Sequence, residues 1–187
     1  MAGFVARWLS DAVRLGAPLA LALLAMQVPA LAHGYASALL QIAEDARRDI
    51  DQRKISARRF YRSDSESDDA VIAALRPVEP ANAQAMAASV ERARAFRDAH
   101  DRIEASPPGV RPLTALRDAV EHPSGDKWSV LRTALDTHAP QVVLSTAAAA
   151  WGLVGLVTGS FLAELLVSAA GAGRRARGVG ARRHFTT

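Results

Sequence analysis

The densest group of chemically capable side chains is Asp98, His100, Asp101 and Glu104. On a helix, His100 and Glu104 share a face at i, i+4, a spacing that can hold a metal ion. Asp101 falls off that face, and Arg97 and Arg102 flank the group, so ion pairing along a solvated helix is the simpler account. The remaining histidines, His33, His122, His138 and His184, are scattered along the chain. No Gly-x-Ser-x-Gly turn is present to raise a serine nucleophile. The acidic run over residues 64–69 lacks the ligand spacing and the closing bidentate Glu of a calcium loop. Gly171-Ala172-Gly173 follows an apolar helix instead of opening one after a strand, so it is not a phosphate loop. With no Cys, thiolate catalysis, disulfides and Cys-ligated zinc are excluded. The chain is read as non-enzymatic, with no catalytic residue, metal or cofactor assigned.

Apolar residues make up 50% of the chain and aromatics 5%. The surplus is Ala, Leu and Val, a mix that favours helices over strands. The formal net charge is +4, but residues 33–138 hold 16 Lys/Arg against 17 Asp/Glu, so the positive excess belongs to the ends. Arg174, Arg175, Arg177, Arg182 and Arg183 follow an apolar segment with no acid among them. Placed there, they read as anchors to anionic lipid headgroups, Arg174, Arg175 and Arg177 first, and not as a nucleic-acid site.

Two segments are apolar enough to cross a bilayer. Leu15–Ala32 (15–32) has eighteen residues without a charge, which as a helix span roughly 27 Å. Residues 1–14 before it read as an interfacial lead-in helix, with Arg7, Asp11 and Arg14 on one face and Trp8 at headgroup level. The same segment also fits a signal peptide, with Ala30-Leu31-Ala32 as the cleavage site before His33. The second segment lies within 140–173, and its stretch Val142–Ala163 carries no charge. Gly152, Gly155 and Gly159 share a face there, the small-xxx-small pattern that lets helix backbones approach closely. Glu164 interrupts the apolar run at the depth of Arg14 on the antiparallel span, so a pair between them is expected, with simple interfacial exposure as the alternative. Arginines before the first span and after the second place both termini in the cytoplasm and 33–138 in the periplasm.

Between the spans, apolar stripes predict a helix from Tyr35 to about Tyr61 that continues from the first span past a kink at Pro29. A short helix over Asp68–Arg76 is capped by Ser67, and a long one runs from Pro80 to about Ala105. Short helices over 112–121 and 126–138 then lead to the second span. The fold class is therefore all-α: two transmembrane helices flank a periplasmic antiparallel helical hairpin or bundle, with 174–187 as a basic cytoplasmic tail.

Gln27-x-Pro29 followed by Tyr35, and Pro140 followed by Gly152-x-x-Gly155-x-x-x-Gly159, resemble an uncharacterised family of short proteobacterial inner-membrane proteins, catalogued only as a domain of unknown function. The likeness extends over almost the whole chain. It departs at Ala30-Leu31, where the family has an acid–aromatic pair. The resemblance implies that the first span is retained as an anchor, and it implies no catalytic residues. Two functions are open on this basis. One is an accessory or structural subunit of an inner-membrane complex, its glycine face packing against other subunits or a second copy. The other is a membrane-tethered periplasmic module that binds a lipid or protein ligand in a groove between the long helices.

Overall fold

The computed structural model describes residues 2–61, 67–121, 125–140 and 145–182, and the side chains of 4–5, 7–60, 67–121, 125–140 and 145–170. Described residues form seven helices and no strand: α1 (Ala2–Met26), α2 (Val28–Tyr61), α3 (Asp68–Leu75), α4 (Pro80–Ala105), α5 (Arg111–Val120), α6 (Asp126–Asp136) and α7 (Thr146–Arg182). They divide into two units, one of Met1–Ala30 with Pro140–Thr187, the other of Leu31–Ala139.

The first unit is a helical hairpin. The lead-in residues and the first apolar segment as far as Met26 are one helix, α1, with Pro18 inside it, while residues 28–32 of that segment belong to α2. The break expected at Pro29 falls instead at Gln27, whose N–H donates to the Leu24 carbonyl at 3.1 Å. Proline in a helix interior clashes with the carbonyl four residues back, whereas in the first turn its missing N–H costs nothing. Interrupting the helix at Gln27 moves Pro29 into the first turn of α2. At the other end, Ser145 starts α7, its hydroxyl accepting from the Ala148 N–H at 3.1 Å. The second span helix thus begins at Thr146, later than residue 140, and residues 141–144 lie outside the described residues.

Apolar windows in the helical stretch Arg7–Phe60 and in Thr146–Ala170 are long enough to cross a membrane, and only 11% and 17% of those windows is buried. A core helix of a water-soluble protein would be mostly buried. Here Leu15, Leu19, Leu23, Val154, Val157 and Phe161 all face outward. Surface of that kind is disfavoured in water and matched in hydrocarbon.

The second unit is built on α2 and α4. Their antiparallel pairing follows from contacts that step in opposite directions: His100 to Ala36, Arg97 to Glu44 and Arg53 to Asn82. Tyr35, Leu39 and Ala43 of α2 pack with Phe96, Ala99 and Ile103 of α4 and with Ala115, Ala119 and Val130 of α5 and α6. Further along, Ile50 and Ala57 meet Val71, Ile72 and Leu75 of α3 and Met86 and Val90 of α4. Local signals set the ends. Ser67 caps α3 through the Ala70 N–H at 3.3 Å. Pro80 opens α4, and Ser106 leaves it with ψ of 147°, the extended conformation that Pro107 imposes on the residue before it.

Candidate functional site

In the hairpin, the small-residue face of α7 is filled by α1. A Cβ on Gly152 would lie 2.8 Å from Met26 Cγ, one on Gly155 2.7 Å from Ala25 Cβ, and one on Gly159 2.6 Å from Pro18 Cα. Gly155 and Gly159 face backbone atoms of α1 that cannot move aside, so a larger residue there would displace the helix, whereas at Gly152 the flexible Met26 side chain would have to shift. The face expected to receive another subunit is therefore occupied from within the chain. Glycine gives up helix propensity of about 1 kcal/mol per residue, offset here by backbone contact that a larger side chain would forbid.

Below the last glycine, Arg14 and Glu164 meet in a two-pronged pair, Nε to Oε1 at 3.0 Å and Nη2 to Oε2 at 3.3 Å. The planar guanidinium fork matches a carboxylate in this way, so the pair defines register as well as attraction. Pro18 lies four residues after Arg14 and supplies no N–H to the Arg14 carbonyl. The side chains of Arg174, Arg175 and Arg177 lie outside the described residues.

In the helical unit the residues that could have bound metal are engaged separately. His100 Nδ1 lies 3.0 Å from the Ala36 carbonyl oxygen. Glu104 pairs with Arg111 at 3.0 Å, and Arg111 also donates to the Glu104 and Ser106 carbonyls. Among the described residues no three His, Asp or Glu side chains converge as metal ligands would.

The polar centre of this unit is one that sequence reasoning missed. Asp118, 5% exposed, accepts hydrogen bonds from Lys127 Nζ at 2.7 Å, Arg102 Nη2 at 2.8 Å and Tyr35 Oη at 3.0 Å. One carboxylate thus joins α2, α4, α5 and α6. Burial pushes the Asp118 carboxyl up, but its hydrogen bonds from Lys127, Arg102 and Tyr35 outweigh this and hold it below the usual carboxylate range. The Tyr35 phenol moves up, first through burial and then through the adjacent Asp118 charge. The only signal in the sequence was an acid on the same face of α5 as Pro112, Ala115 and Ala119. Lys127 also closes a Ser-x-x-Lys spacing from Ser124, a pattern in which a neutral lysine activates a serine. Its ammonium is committed to Asp118, and Ser124 lies outside the described residues.

A cavity of about 210 Å³ opens between α2 and α4 beside the start of α3. Its floor is Ala43, Ile50, Val90 and Ala93, and its rim carries Glu44, Arg47, Asp68, Arg94, Arg97 and Asp98. Most of this charge is spent internally. Asp68 takes Arg47 at 2.6 Å and Lys54 at 2.9 Å, and Arg97 pairs with Glu44. Burial raises the Asp68 carboxyl, yet hydrogen bonds from Lys54 and Arg47 bring it below its ordinary value.

A family model described as "Protein of unknown function (DUF2937)" matches residues 9–176. The chain belongs to this family. The match takes in both helices of the hairpin and the whole helical unit, so the glycine face, the Arg14–Glu164 pair and the Asp118 centre all lie within one family region. Comparisons with curated proteins and with solved structures gave no match. In this member of the DUF2937 family the Asp68 and Asp118 carboxylates, both largely buried, are held in internal pairs. Asp118 has both oxygens engaged, Asp68 is held by two cations, and neither is placed as a free base or nucleophile.

Proposed function

We propose that this protein is a non-catalytic subunit of the bacterial inner membrane, a two-span anchor that holds a helical docking domain on the periplasmic side. The observation that carries the proposal is the hairpin: its inner face is closed by glycines and its outer face is leucine, valine and phenylalanine. A pair of helices shaped so is fitted to stay in lipid and carry a domain. The fit of α1 into the α7 glycines also favours retention of the first span. Cleavage after Ala32 would remove Pro18, Ala22, Ala25 and Met26 and leave Gly152, Gly155 and Gly159 bare in the membrane. Partners would meet the outward faces of the spans or the charged sides of α2 and α4, because the glycine face is taken. Purification in mild detergent after cross-linking in the membrane tests this. A defined partner subunit, or a defined oligomer, is expected; a chain found alone and monomeric in native membranes would refute it. The cavity between α2 and α4 supports a second reading, a tethered binding module, and that reading would then replace the first.

A further inference from the structure

Helices α5 and α6 each present a second apolar face to solvent. On α5, Pro112, Ala115, Asp118 and Ala119 point into the core. About a third of a turn round the helix, Leu113, Leu116 and Val120 remain 54%, 53% and 50% exposed. The third face carries Thr114, Arg117 and Glu121. On α6, Val130 is buried, and Trp128 and Leu135 share an exposed face seven residues apart with Arg132 between them. Exposed apolar faces on two consecutive helices are a liability in water unless something covers them.

We infer that the second apolar faces of α5 and α6 rest on the lipid surface of the bilayer that the hairpin crosses. The inference depends on the membrane-anchor reading above and goes beyond it by naming the partner as lipid. Chain connectivity argues for that occupant. α6 ends at Asp136 and α7 begins at Thr146, so nine residues, at most roughly 30 Å of chain, tie this face to a membrane span. A tether so short holds the face at high effective concentration beside lipid, and a modest apolar area is then enough for stable contact. The side chains also suit an interface. Trp128 is of the type that settles at headgroup level, and Arg117 and Arg132 stay exposed beside the apolar faces although each is paired on its own helix, with Glu121 at 2.9 Å and Asp136 at 4.0 Å.

Brominated phospholipids quench tryptophan within contact range and so read its depth. In full-length protein reconstituted into phosphatidylethanolamine/phosphatidylglycerol vesicles, Trp8 and Trp151 are replaced by Phe, leaving Trp128 as the sole reporter. A second protein carries Phe161→Trp with all three native tryptophans replaced, as a reporter for the span. Seating of Trp128 at the interface predicts a roughly twofold loss of its emission with lipid brominated near the headgroup end, and less with lipid brominated near the chain ends. Leu113→Ser with Leu116→Ser should reduce that quenching while the helical circular dichroism is kept. If residue 161 is quenched and Trp128 is not, the inference is overturned and the face belongs to a protein partner or a second copy. If neither is quenched, the membrane reading itself has failed.

Discussion

Asp118 shows how one side chain can govern a unit this small. Two cations and a phenol surround it, so the carboxylate is stable only while ionised and fully bonded. Asp118→Asn would leave the largely covered Lys127 without a countercharge while Arg102, 58% exposed, turns to solvent, and losing one partner of such a charged hydrogen bond costs about 1.5–3 kcal/mol. Tyr35→Phe removes a single hydrogen bond and should cost about 1 kcal/mol. Urea unfolding of the full chain carrying Trp8→Phe and Trp151→Phe, followed by Trp128 emission, measures both. The sign of the pH dependence follows from the lowered Asp118 and Asp68 carboxyls. Their stabilisation is fully present above the ordinary unfolded value of about 4 and is lost as pH falls through their lower folded values. The unit should therefore hold its stability from neutral pH to about 4 and lose it below. Asp118→Asn should flatten part of that loss, and an unchanged acid limb in the variant would contradict the role given to Asp118.

At the scale of helices, the hairpin depends on contacts that tolerate no added atoms. Gly155→Leu or Gly159→Leu must push α1 away, because the obstacles at Ala22 and Pro18 include backbone atoms that cannot rotate aside. The expected outcome is a chain that still inserts but loses proximity between α1 and α7. Paired cysteines on the two helices report this cleanly, since the chain has no Cys of its own. The Arg14–Glu164 pair adds register. Arg14→Ala and Glu164→Ala should each lower the thermal stability of the hairpin in detergent, and the double variant should lose less than their sum, by a coupling of about 0.5–3 kcal/mol. Strict additivity would mean that the two groups act independently.

Helix ends were largely readable from local chemistry. Ser67, Pro80 and the Ser106-Pro107-Pro108-Gly109 break act within a turn of where they stand, so α3 and α4 could be placed from neighbouring residues alone. Pro29 identified a break but not its position, because moving the interruption to Gln27 relieves the same clash. The glycines of α7 announced close packing, whereas the surface they receive, Pro18, Leu21, Ala22, Ala25 and Met26, carries no motif of its own. Least legible was Asp118, whose partners Tyr35, Arg102 and Lys127 stand 83, 16 and 9 residues away and meet only after four helices have packed.

Taken as a whole molecule, the chain carries most of its outward apolar surface in one unit, although α2, α5 and α6 of the other also present apolar residues outward. One unit turns its leucines outward, and the other buries a core of Tyr35, Leu39, Ile50, Met86 and Ile103 under paired charge. This division makes sense if the first unit sits in lipid and the second in water on one side. We propose, on this basis, a retained anchor with both ends in the cytoplasm and the helical unit across the membrane. Cysteine labelling in intact cells with a membrane-impermeant maleimide tests it most directly, using Gln84→Cys on the exposed side of α4 and Ala2→Cys at the start of α1. Residue 84 should be labelled from outside and residue 2 only after permeabilisation, on a chain whose mass includes residues 1–32. A protected residue 84, or a mature chain beginning at His33, would contradict it.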